Sequence, residues 1–127
     1  MAIIRSFRDL RAYQQTRHEI SRVFEMTKAF PKEEKFSLTD QIRRSSRAVN
    51  SMIAEAWAHR RYPASFISKL TDAIGEANET QSWLDDALDC GYIKSTQHLD
   101  YDSAWQSIGG MLNNMIAKAD DFCKTAQ

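Results

Sequence analysis

Phe30-Pro31-Lys32-Glu33-Glu34-Lys35-Phe36-Ser37-Leu38-Thr39-Asp40-Gln41-Ile42-Arg43-Arg44-Ser45-Ser46, running on to Ile53-Ala54-Glu55-Ala56, is the stretch that decides the fold. Pro31 closes one periodic segment, and Ser37 followed by Asp40 has the spacing of a helix-capping box. Leu38, Ile42, Val49, Ile53, Ala56 and Trp57 then recur at helical steps, so a helix over 38–61 with one inward apolar stripe is predicted. Polar residues interrupt that stripe closely enough that some of them must face other helices or other subunits.

Outward from this segment, proline and glycine cut the chain into three more helices. The first, over 7–29, opens at Ser6 with Asp9 as its box partner and presents Leu10, Tyr13, Ile20, Val23 and Phe24 inward. Pro63 separates the second helix from a third over 64–90, with Phe66, Leu70, Ile74, Ala77, Leu84 and Leu88 on one face and Gly91 as a left-handed terminator. Tyr92 to His98 reads as a connecting loop. The fourth helix, over 98–124, carries Tyr101, Trp105, Ile108, Leu112, Met115, Ile116, Ala119 and Phe122, and its paired glycines Gly109-Gly110 suggest a bend or a close helix approach. Helices of about 24 residues span ~36 Å, and short connections between them favour an all-α, antiparallel up-down-up-down four-helix bundle.

The chain's 127 residues suit a single domain with its own core. Met1-Ala2-Ile3-Ile4-Arg5 does not have the form of a signal peptide, and no window approaches the ~18 apolar residues of a membrane span, so no membrane association and a cytoplasmic address are expected. Cys90 and Cys123 have no metal or redox spacing and read as reduced thiols. The net charge is zero but unevenly spread: residues 1–62 hold 13 Lys/Arg against 7 Asp/Glu, a balance of +6, and residues 63–127 hold 4 against 10, a balance of −6. Such a split suits antiparallel helices or subunits that meet basic face to acidic face, and it leaves a basic surface as a second use.

Within helix two, Gln41, Arg44 and Glu55 require partners if buried. Arg44 and Glu55 are eleven residues apart, too far to meet, so Glu76 and Glu79 of helix three are the expected partners for arginine in a structural polar network. Arg5, Arg8 and Arg11 at the chain start, Arg43 and Arg47 on helix two, and Arg60-Arg61 beside Tyr62 are the candidate nucleic-acid contacts, the last pair because a ring next to cations can stack on a base. Trp57, Phe66 and Trp83 exceed what a slim core needs and are the candidate oligomer interface.

Catalytic constellations are missing. A di-iron bundle uses two Glu-x-x-His motifs, whereas Glu55 and His59 are four apart and form at most a salt bridge or a weak surface pair. Asp85, Asp86 and Asp89 read as a solvated helix face. No phosphate-binding glycine loop or nucleophile elbow is present. No cofactor, metal or catalytic residue is expected.

Phe7-Arg8-Asp9-Leu10, Phe30-Pro31 before an acidic pair, Leu38-Thr39-Asp40-Gln41-Ile42-Arg43-Arg44, Ile53-Ala54-Glu55 and Gly91-Tyr92-Ile93, in this order and spacing, resemble the four-helix bundle family of 23S rRNA-intervening-sequence proteins. That family usually carries asparagine just before the Ile-Ala-Glu and glycine just after it, where this chain has Met52 and Ala56. The resemblance implies a ring-shaped homo-oligomer, most often a pentamer. It also extends to the accessory proteins of diversity-generating retroelements, which are strongly basic, as this chain is not. The expectation is a non-enzymatic oligomeric scaffold or binding protein whose partners are its own copies and RNA or a nucleic-acid enzyme. The alternative is a small-molecule or metal-dependent enzyme with a subunit-interface pocket.

Overall fold

A computed structural model describes residues 3–124, and all of its regular elements are helical. The four long helices are α1 (Arg11–Thr27), α2 (Leu38–Ala58), α3 (Pro63–Asp89) and α4 (Ser95–Ala117), followed by the short α5 (Ala119–Lys124). α1 packs on α2 and α4, α2 on α3, and α3 on α4, the closed square of an up-down-up-down bundle. Among the described residues no helix is long and apolar enough to cross a membrane.

The core follows the expected stripes on three helices. Ile42, Val49, Ile53 and Ala56 from α2, Phe66, Leu70, Ala77 and Leu84 from α3, and Trp105, Ile108 and Leu112 from α4 are fully enclosed. Phe66 also packs its ring 5.8 Å from that of Phe122, so it is a core residue and not part of an oligomer interface as the sequence suggested. α1 departs from its expected stripe. Its buried positions are Ala12, Thr16, Glu19, Val23, Met26 and Thr27, while Phe24 is 36% exposed.

Helix ends account for the shifted boundaries. Ser6 and Asp9 do form a capping box, with the Arg8 N–H donating to Ser6 Oγ and the Ser6 N–H donating to Asp9 Oδ2. The box closes only a 3₁₀ turn, Phe7–Asp9, because extended Leu10 (ψ 131°) turns its side chain into the core and α1 restarts at Arg11. α2 ends at Ala58, which leaves Arg60 and Arg61 in the turn before Pro63, itself the first residue of α3, where its missing N–H costs nothing. α3 terminates as expected: Gly91 adopts φ 75°, the Gly91 N–H donates to Leu88 O and the Tyr92 N–H to Ala87 O, both at 2.9 Å, the two bonds of a Schellman motif. α4 begins at Ser95, so His98 lies on a helix and not in a loop, and Lys118 divides it from α5. α4 runs unbroken through Gly109-Gly110, where an added Cβ would meet nothing within 4 Å, so the expected close approach is absent.

Ser37 makes no side-chain cap on α2. Glu34 takes that role: its Oε1 accepts the Leu38 N–H at 3.3 Å, and its Oε2 accepts the Tyr92 hydroxyl at 2.8 Å. The Tyr92 ring lies 5.3 Å from Phe30. The segment before α2 and the turn after α3 are thus one joint at the same end of the bundle.

A candidate nucleic-acid interface on α1 and α2

Phe24 leaves the α1 core stripe because the Glu19, Val23, Met26 stripe is the one that faces α2 and α4. Its ring projects toward α2, where Arg43 and Arg47 succeed each other at i, i+4. The Arg43 guanidinium carbon lies 4.6 Å from the ring centroid, Arg47 6.0 Å, and the Lys28 ammonium, from its own helix, 5.0 Å. Arg43 Nε donates to Thr27 Oγ1 at 2.7 Å, and Thr27 in turn donates to Phe24 O, which fixes the guanidinium on the ring. Among the described residues no carboxylate pairs with Arg43 or Arg47, whereas Lys28 is shared with Glu25 at 3.1 Å. Guanidinium groups without a carboxylate partner, held beside an aromatic ring, suit phosphate contact and base stacking together.

Two further cation–ring pairs lie toward the end where α1 begins and α2 ends. Arg60 stacks 3.5 Å from the Trp57 centroid and donates from Nε to Trp57 O at 2.9 Å. Trp57, Arg60, Arg61 and Tyr62 line an open cleft of about 370 Å³. Burial lowers the Arg60 pKa, against the effect of nearby Cys123, whose own thiol is pushed up by burial and by Asp120. Arg8 lies 4.5 Å over the Phe7 ring, and Arg11 lines a separate groove of about 220 Å³ with Ile4, Leu10 and Phe122; Arg5 is exposed. The structure therefore divides the seven candidate arginines between two places, with Arg43 and Arg47 on the flank and the other five toward one end. Phe24 was missed by sequence reasoning because its apolar character and helical spacing placed it in the core.

The expected polar network is not the one that forms. Arg44 is exposed and reaches Asp40, one turn back, at 3.9 Å. Glu55 pairs with Lys69 at 3.2 Å, while His59 Nδ1 bonds Ser65 Oγ at 2.6 Å, so Glu55 and His59 do not act together. The Glu76 carboxyl is raised by burial and by neighbouring Glu79 and Asp72, the reverse of what an arginine partner would do. Gln41 is half-buried and Glu79 exposed. Trp57 and Trp83, from the expected oligomer interface, are both half-buried against the core.

The buried charge that does exist is Glu19, 1% exposed. Arg22 donates to it at 2.8 Å, bonds Asp100 of α4 with its other arm, and lies 4.6 Å from the Tyr101 centroid. Burial opposes the charge on Arg22, but the hydrogen bond and charge of Glu19, with Asp100 and Tyr101, raise its pKa overall. The 12, 16, 19, 23, 26 spacing of the α1 stripe would have located Glu19.

Comparison with known proteins agrees with this architecture. A crystal structure of a protein of unknown function from the S23 ribosomal protein family of Bacteroides thetaiotaomicron superposes with a TM-score of 0.75 at 29% identity, covering 84% of this chain and 95% of the other. No curated protein sequence matches the chain. The sequence profile of the 23S rRNA-intervening sequence proteins matches residues 8–114, the bundle from the first turn through most of α4. The chain belongs to the 23S rRNA-intervening sequence protein family.

Proposed function

We propose that this protein is a non-enzymatic oligomeric scaffold that binds structured RNA through the Phe24, Arg43 and Arg47 face. The observation that carries this reading is the pair of arginines with no carboxylate partner among the described residues, seated on a half-exposed ring. The family's name supports RNA over duplex DNA as the first ligand to test. A chain of zero net charge has few cations to spend on phosphates, so self-association is part of the proposal. A ring of identical copies, a pentamer by family resemblance, repeats one modest contact face around its axis, and linked sites bind far more tightly than one. The half-buried Trp57 and Trp83 are the aromatic anchors for that assembly.

The test is RNA binding by fluorescence anisotropy across a salt series, with mass measured by light scattering in the same buffer. Wild-type protein is expected to bind as a multimer, with affinity falling steeply as salt rises. Arg43→Ala with Arg47→Ala is expected to weaken binding ~10-fold or more and to flatten the salt slope by roughly 1.5 to 2 per protomer engaged, at unchanged mass. A double variant that binds as the wild type does, or a wild-type multimer that ignores RNA at low salt, overturns the RNA role and leaves a protein-binding scaffold.

A further inference from the structure

Opposite the basic flank, the turn joining α3 to α4 brings together three side chains that the sequence holds apart. His98 and Asp102 stand one turn apart on α4, so they share a face, and Asp85 reaches the same point from α3. One imidazole nitrogen and one oxygen from each carboxylate all lie within 4.8 Å of one another. His98 Nε2 is 2.8 Å from Asp85 Oδ1, and the imidazole is largely enclosed, with 19% of its side chain exposed. Gln81, one turn before Asp85, donates to Asp102 Oδ1 at 3.2 Å and to Gln106 Oε1 at 3.1 Å, which orients the second carboxylate. Arg22, the cation placed on this side by α1, is committed to Glu19 and Asp100.

We infer that Asp85, His98 and Asp102 form a binding site for a divalent transition-metal ion that clamps α3 to α4. The donor set, one borderline nitrogen with two hard oxygens, suits Zn²⁺ or Co²⁺ and is poor for thiophilic ions. Ligand atoms around such an ion stand ~3.4 Å apart at ordinary bond lengths, so closure asks for a small inward rotation, which exposed Asp85 can make. Binding takes the Nε2 lone pair of His98, so the proton that Nε2 shares with Asp85 moves to Nδ1 or leaves to solvent, and two metal bonds replace the His98–Asp85 hydrogen bond. Gln81 then acts as the outer support that such sites use to hold a carboxylate in place.

The experiment is titration of untagged, chelator-stripped protein with Co²⁺, read by visible absorption and calorimetry, with the melting temperature followed in Zn²⁺. One ion per chain, a Co²⁺ d–d band and a raised melting temperature are expected. His98→Ala and, separately, the near-isosteric Asp102→Asn are each expected to weaken binding at least ~10-fold while the far-ultraviolet circular dichroism is unchanged. His18→Ala, on α1, is expected to bind as the wild type does. Absence of binding at micromolar metal overturns the site, as does equal binding by wild type, His98→Ala and Asp102→Asn.

Discussion

α1 and α3 flank the same core but are held to it by different forces. α3 buries Phe66, Leu70, Ala73, Ala77, Leu84 and Ala87 with a single polar residue, Thr80, whose hydroxyl is satisfied twice, by Glu76 O at 3.0 Å and by Ser45 Oγ at 2.8 Å. α1 buries three polar residues among its six enclosed positions. Thr16 Oγ1 there, and Asn50 Oδ1 on α2, have no hydrogen-bond partner among the described residues. Within the enclosed core α3 is thus docked by area, its polar contacts Lys69–Glu55, Gln81–Asp102 and Asp85–His98 lying outside it, whereas α1 relies on directional contacts: Glu19–Arg22–Asp100, Arg43 to Thr27, and Asn50 to Tyr13 O. The same helix presents Phe24 outward. The difference places the candidate RNA face on the helix whose docking is most easily broken.

The largest effect follows from breaking that docking. Arg22→Met leaves the Glu19 carboxylate enclosed without its cation and is expected to cost about 3–5 kcal/mol by urea unfolding. Replacing both ends, Glu19→Leu with Arg22→Met, is expected to recover most of the loss, since a matched apolar pair needs no desolvated charge. Hydrogen exchange should show α1 losing protection in Arg22→Met before α3 does. A cost under ~1 kcal/mol would mean that the pair is solvated and the two helices are held alike.

Ser45→Ala is the matching change on the α2–α3 side, and a smaller effect is expected. Thr80 keeps its bond to Glu76 O, no charge is stranded, and the cost should be about 1 kcal/mol. A loss as large as that of Arg22→Met would show that α3 also depends on polar contacts.

Much of this contrast was legible in the sequence, but only where burial follows hydrophobicity. Ile42, Val49, Ile53, Leu70, Leu84, Trp105 and Leu112 announce a core through spacing alone, and Gly91 announces a left-handed turn. Phe24 and Phe66 have the same side chain and equally good helical spacing, yet one is exposed and the other enclosed, because a neighbouring stripe on α1 faces the bundle. The spacing of Glu19 with Ala12, Thr16, Val23 and Met26 was legible, whereas the anchoring of its partner Arg22 by Asp100, 78 positions further on, was not. Asp85 reads as part of a solvated acidic face, His98 as the end of a loop and Asp102 as a residue of the fourth helix, and only the start of α4 at Ser95 puts His98 and Asp102 on one face.

The smallest expected effect lies at the joint where the two sides meet. Glu34 caps α2, on the basic side, and is bonded by Tyr92, which follows α3. The Tyr92 hydrogen bond, then the Leu38 N–H, hold the Glu34 carboxyl below its usual range, whereas Glu34, with burial behind it, pushes the Tyr92 phenol up to about 12. A depressed carboxyl contributes stability above its unfolded pKa of ~4.3 and loses it as pH falls through the folded value. A raised phenol contributes fully below its unfolded pKa of ~10 and loses it as pH rises through about 12. The melting-temperature gap between wild type and Tyr92→Phe should therefore be level from about pH 5 to 10 and should narrow on both sides of that window. The bond from Glu34 to the Leu38 N–H survives this substitution, so α2 stays capped and the gap stays small. A gap that ignores pH would mean that the two halves meet here by ring packing between Phe30 and Tyr92 alone, with no contribution from the hydroxyl.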